Sequence, residues 1–191
     1  MKFIAKIIQT SALLATVLVS ANAASGSLQT TVFNPQEKST FPVSSVLISG
    51  KTEAILVDAQ FQRNDAEAVV ELIKQSGKTL TSIYISHGDP DFYFGLDVIT
   101  AAFPAAKVLA SAETQKYIKA TMEPKKAYWG PILKDNAPQQ LVVPEVLQGD
   151  TLTLDGEQVK IIGLNGHDPK HSFVWIPSSK TVLGGVVVFG N

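Results

Sequence analysis

The order of apolar runs along the chain restricts its fold more than any single residue does. Between positions 43 and 122, runs that read as strands alternate with runs that read as helices, and from Gln140 onward only strands are expected. Segments 43–48 and 54–57 flank Gly50-Lys51 and predict a hairpin. A helix capped by Asn64 or Asp65 follows, with Ala68, Val69, Leu72 and Ile73 on its apolar face and Gly77 as its stop. Segment 80–85 reads as a buried strand. After Gly95 a helix carries Leu96, Ile99 and Phe103 inward until Pro104 ends it, and 107–110 is a short strand. Ser111 caps a helix to about Met122, and 123–138, with its prolines, lysines and aromatics, reads as a long loop. The later strands are 141–143, 151–154, 159–163, 172–176 and 181–188, with turns at Asp155-Gly156 and Pro177-Ser178. Two sheets with helices outside, an α/β architecture, is what this order builds. The apolar run 182–189 stops almost at the last residue, so the chain is expected to be the front part of a longer protein.

Residues 1–23 predict a cleavable signal peptide. Lys2 and Lys6 precede a mostly apolar stretch, 7–19, and Ala21-Asn22-Ala23 offers the small residues that a signal peptidase reads. The stretch is too short to span a bilayer comfortably, and without cysteine there is no lipoprotein anchor. The mature domain, 24–191, is therefore expected in a periplasm or outside the cell, with no stable membrane anchor. A chain with no cysteine has no disulfide frame, and any transition-metal site must use His, Asp or Glu. Loss of Lys2 and Lys6 leaves 14 basic residues against 17 acidic ones, which suggests no nucleic-acid partner. The oligomeric state cannot be read from such a composition.

All three histidines, His87, His167 and His171, sit in two polar clusters, each directly after an expected strand. In His87-Gly88-Asp89-Pro90-Asp91, alternate residues of an extended segment share a side, and Pro90 favours an extended Asp89. One imidazole and two carboxylates would then converge, and the carboxylates would repel unless a cation or a proton intervened. His167, from Gly166-His167-Asp168-Pro169-Lys170-His171, would complete a metal site with His87 and Asp89. A metal so held activates water as a nucleophile, and Asp91 is the natural acceptor of that water's proton.

These residues resemble the metallo-β-lactamase superfamily, over nearly all of the mature chain. The family's His-x-His-x-Asp-His motif stands here as His87-Gly88-Asp89-Pro90-Asp91-Phe92, and its next landmark is similar to the segment from Gly166 to His171. A strand like 172–176 and a turn like Pro177 to Lys180 follow. Asp58 matches the acidic residue that braces the site in this family. The resemblance implies a four-layer αβ/βα sandwich, incomplete at the C-terminus, and metal-dependent hydrolysis of a small-molecule ester, lactone, thioester or lactam.

Several family ligands are substituted. Asp89 replaces the second histidine and Phe92 the third, while Val186 occupies the place where an Asp or Cys usually bridges two metals. Phe and Val ligate nothing. The expectation is a single divalent metal on His87, Asp89 and His167, zinc as first choice with iron or manganese as alternatives. Asp58 and His171 are expected to support that set rather than to touch the metal. The competing reading is a non-catalytic binding or scaffold protein that has lost the second metal. Tyr128 and Trp129 are expected in a lid, Tyr93 and Phe94 beside a pocket or under the next helix, and Lys125-Lys126 as a solvated pair.

Overall fold

The computed structural model describes residues 27–184. The expected signal peptide, the mature start at Ala24, Val186 and the end of the last expected strand lie outside the described residues. Six strands form the first sheet in chain order: β1 (Gln29–Phe33), β2 (Ser45–Ser49), β3 (Glu53–Val57), β4 (Thr79–Ile85), β5 (Lys107–Ala110) and β6 (Glu145–Val146). β1 to β3 pair antiparallel and β3 to β6 parallel. Parallel neighbours need crossovers, and helices supply them. α1 (Arg63–Ser76) joins β3 to β4, α2 (Pro90–Tyr93) and α3 (Leu96–Ala102) join β4 to β5, and α4 (Ala112–Leu133) leads toward β6. The second sheet is an antiparallel meander of β7 (Thr151–Leu154), β8 (Glu157–Ile162), β9 (Phe173–Ile176) and β10 (Thr181–Leu183).

Alternation along the strands sorts side chains into two cores. Leu47, Leu56, Ile83 and Ile85 face the helices, meeting Val69 and Ile73 of α1, Leu96 and Ile99 of α3, and Ile118 and Met122 of α4. Ile48, Ile55, Val57 and Tyr84 face the other way, onto Leu154, Val159, Ile161 and Val174 of the second sheet. Helix layer, first sheet and second sheet are thus stacked in that order. Apart from Pro90, every buried apolar side chain of the described helices belongs to the first core. Asp155, in the turn between β7 and β8, ties the sheets at one edge by accepting from the backbone N–H of Thr52 (2.8 Å) and of Glu53 (3.1 Å).

Four expectations need correction. α1 starts at Arg63 after Gln62, which makes no side-chain cap bond, so Asn64 and Asp65 lie inside the helix and do not cap it. α1 turns Ala66, Val69, Val70 and Ile73 inward and leaves Ala68 exposed, although Gly77 does end it, at φ +65°. Segment 141–143 pairs with nothing; the strand beside β5 is β6, two residues further on. The largest difference is α4, which continues through Pro124 and Pro131 to Leu133 where a loop was expected. Each proline removes a helical hydrogen bond, at roughly 3 kcal/mol in an isolated helix. Burial offsets that cost: Leu133 is in the first core, and Trp129 stands edge-on to Phe41 and Phe61 with ring centroids 5.3 Å away. Trp129 is therefore a packing residue of a helix and not part of a lid.

α4 begins where Ser111 was expected to cap it, with Ser111 Oγ accepting from the Thr114 N–H at 3.0 Å. Ser111→Ala leaves that N–H without its partner. The expected loss is about 1 kcal/mol, read as a lower urea midpoint at unchanged slope.

Candidate active site

The site lies where β3, β4 and the β8–β9 connection end together. Asp58 directly follows β3 in a left-handed conformation, φ +64°, which aspartate tolerates better than most residues. Its carboxylate accepts from Ser86, just past β4: Oδ1 from the backbone N–H at 2.8 Å and Oδ2 from the hydroxyl at 2.7 Å. Ser86 Oγ is also 2.6 Å from His87 Nδ1. A serine hydroxyl has one hydrogen. While it donates to Asp58 it must accept from His87 Nδ1–H, which leaves His87 Nε2 as a bare lone pair. That nitrogen is buried and has no hydrogen-bond partner.

His87 is wholly buried, stacked on Phe92 at 4.4 Å between centroids, with the His171 ring 4.6 Å away. Burial first, then the His171 ring, hold its pKa down to about 4, so the imidazole is neutral at neutral pH. Main-chain pairing brings the histidines together. His87 and His171 form an antiparallel bridge, and the Ser172 N–H donates to Ser86 O at 2.9 Å. His171 Nδ1 lies 3.1 Å from Asp168 Oδ2. Its Nε2 is buried, 3.5 Å from Asp89 Oδ2, and makes no hydrogen bond.

His167 was expected to join His87 and Asp89; the structure brings His171 there and leaves His167 exposed. Turns produce this exchange. Gly163, at φ +96°, reverses the chain after β8; the Gly166 N–H then donates to Gly163 O and the His171 N–H to Asp168 O, both at 3.0 Å. The chain regains sheet pairing only at His171, so His167 stands out on the turn.

The first cluster also departs from the expected extended path. Asp89 is extended, with φ −88° and ψ 148°, but Pro90 starts the helical turn α2, closed by Phe94 N–H to Pro90 O at 2.9 Å. Proline at a first helical position has its φ already set for a helix. Asp91 therefore sits inside the turn, partly buried, and does not alternate with Asp89. Burial chiefly pushes its carboxyl up to about 6, with Asp89 adding to the rise and its own backbone N–H, Lys125 and His171 opposing it. Tyr93 and Phe94 are buried in the first core rather than lining an open wall.

Two residues of the site carry no obvious sequence signal. Ser86 is visible only as a hydroxyl between a buried strand and His87. Lys125, expected in a solvated pair, has its ammonium 2.9 Å from Gly88 O and 3.3 Å from Asp89 Oδ1, and 4.4 Å from the centre of the Tyr117 ring. Residues 117, 121 and 125 recur at helical spacing, so extending α4 past Met122 would have placed Lys125 on the Tyr117 side. Beside these residues a cleft of about 260 Å³ lies between α4 and the loop before β9, lined by Lys116, Tyr117, Ala120, Asp168 and Lys170.

Comparison with known proteins bears on the fold and the family. The chain aligns over 85% of its length with the solved structure of the BLEG-1 B3 metallo-β-lactamase, covering 74% of that chain at 15% identity with a TM-score of 0.64. A metallo-β-lactamase from Pontibacter korlensis is matched over 81% of this chain and 64% of that one, at 18% identity and a TM-score of 0.56. The curated relative YobT of Bacillus subtilis (strain 168), an uncharacterised protein, is 32% identical over 71 residues; the match spans 37% of this chain and 30% of YobT. Residues 39–189 match the model of the metallo-β-lactamase superfamily. By that match the chain belongs to the metallo-β-lactamase superfamily, a membership that suggests metal-dependent, hydrolase-type function.

Proposed function

We propose that this chain is an exported metal-dependent hydrolase of a small-molecule ester, lactone or lactam. One divalent ion, zinc as first choice and iron or manganese as alternatives, would be held by His87 and His171 with Asp89 as the adjacent carboxylate. The observation that carries the reading is the pair of buried, unpartnered Nε2 atoms on neighbouring imidazoles. A buried polar atom without a partner costs stability unless something else satisfies it, and neutral imidazole is a usual ligand of such ions. Among the described residues, no three His, Asp or Glu side chains are grouped as a ready-made metal cage. The two imidazoles are thus the formed half of the site, and Asp89 is engaged elsewhere through Lys125.

A bound divalent ion would polarise a substrate carbonyl and activate water. The chain's own residues supply the rest. While Asp58 is ionised, Asp58 and Ser86 keep the proton on His87 Nδ1 and its Nε2 free. Phe92 covers one face of His87 and excludes solvent from it. Asp91, with a carboxyl that titrates near pH 6, accepts a proton at neutral pH. The cleft over Tyr117 receives the body of the substrate. No helix among the described residues is long and apolar enough to cross a membrane. Residues 1–23 support export to a periplasm or medium, and the acidic balance supports a small-molecule rather than a nucleic-acid partner.

Metal analysis of the full chain after zinc supplementation should find close to one bound equivalent. His87→Ala and His171→Ala should each lose it, and His167→Ala should keep it. Metal-free wild type would sink the proposal. Phe92 and the engagement of Asp89 by Lys125 favour the second reading, a non-catalytic binding or scaffold protein. In that case chelator leaves the melting temperature unchanged, and a panel of lactams, lactones and esters stays intact.

A further inference from the structure

Asp89 and Asp91 flank Pro90 at the mouth of the site, and the charge of Asp89 raises the cost of ionising Asp91. Something positive must be near if both carboxylates are to persist. Lys125 is the charged group that meets Asp89. It reaches across from α4 with its side chain mostly buried, about one-fifth exposed at 19%, and lies 3.3 Å from Asp89 Oδ1. Its other neighbours fix it there: Gly88 O accepts from it at 2.9 Å, and the Tyr117 ring lies beneath it at 4.4 Å. Tyr117 is held by close packing, because any side chain at Gly88 would collide with its ring. Lys170 approaches the same ring at 5.0 Å but is 3.6 Å from Asp168, so its charge is directed at the other loop. His171 contributes only an imidazole nitrogen, 3.5 Å from Asp89 Oδ2.

We propose that the Lys125 ammonium, held between Gly88 O and Asp89 Oδ1, fills the cationic place beside Asp89 and excludes a divalent ion from it. This inference is separate from the ion proposed on His87 and His171, since it concerns Asp89 Oδ1 and not Oδ2, the oxygen nearer His171. Removing the ammonium while keeping the length of the side chain opens that place to a metal.

The experiment compares wild type, Lys125→Met, Lys125→Gln and Lys125→Arg as full chains, titrated with manganese chloride by calorimetry and melted with and without it. Both neutral variants should bind one more equivalent of Mn²⁺ than wild type, at least about tenfold tighter than any wild-type binding at that place. Their melting temperatures should fall below wild type in chelator and recover with Mn²⁺, while Lys125→Arg behaves as wild type. Adding Asp89→Asn to Lys125→Met should abolish the extra equivalent. Neutral variants that bind no more Mn²⁺ than wild type would overturn the proposal, as would an extra equivalent that survives Asp89→Asn. The number of ions in wild type tests the proposed function; the difference between variant and wild type tests Lys125.

Discussion

Gly95→Ala is expected to destabilise the protein by about 3 kcal/mol or more, enough to threaten folding. Gly95 has φ −75°, which any residue adopts, so the requirement is space and not backbone freedom. A methyl there would collide with the carbonyl oxygen of Ala59 and come within 2.7 Å of Ala66 Cβ on α1. Neither neighbour can yield cheaply. The Ala59 N–H donates to Phe92 O at 2.7 Å, the Gly95 N–H to Gln60 O at 3.0 Å, and Ala66 is fully buried. A shift of Ala59 would also move Asp58 and through it Ser86. Chemical denaturation gives the answer, with Gly130→Ala as control: that site in α4 is open, and alanine there should gain roughly 0.5–1 kcal/mol. A loss under about 1 kcal/mol at Gly95 would contradict the close packing.

Asp58→Asn is expected to change the pH dependence of stability more than stability itself. Burial is the main reason the Asp58 carboxyl is pushed up to about 7, and the hydrogen bonds from Ser86 only partly counter it. The fold therefore holds this proton more tightly than the unfolded chain does. The stability it contributes is complete below pH 3.8 and is lost as pH rises through about 7, on the order of 2–4 kcal/mol in metal-free protein. His87 runs the other way: its folded pKa, about 4, lies below the ordinary 6.5, and stability is lost as pH falls between those values. Both proteins keep His87, so in their difference only the titration of Asp58 remains. The amide tolerates the left-handed backbone and, like the neutral acid, can donate to Ser86 Oγ. In chelator, the variant should gain on wild type from pH 5 to about pH 7 and level off above it. A difference that stays constant over that range would show that Asp58 keeps one protonation state.

Period and punctuation made most elements readable. The Gly50-Lys51 hairpin, the stop at Gly77, the cap at Ser111 and the meander from Thr151 to Leu183 all follow from local chemistry. α4 was misread because its two prolines are strong local signals, whereas the contacts that override them come from Phe41 and Phe61, far away in sequence. At the site, each loop could be located but not its internal path. Proline at 90 suits an extended neighbour and a first helical position equally, and only hydrogen bonding to Phe94 decides between them. Likewise, the choice between His167 and His171 depends on where the chain re-enters the sheet after Gly163. Lys125 could not be recognised until the helix that carries it was known.

The stitch between Ser172 and Ser86 means that peptide groups, and not any bound ion, keep the paired imidazoles adjacent. An arriving cation then meets a seat already assembled and need not recover the entropy of gathering two loops. Apoprotein should accordingly keep its native near-ultraviolet dichroism, and ion uptake should involve little refolding.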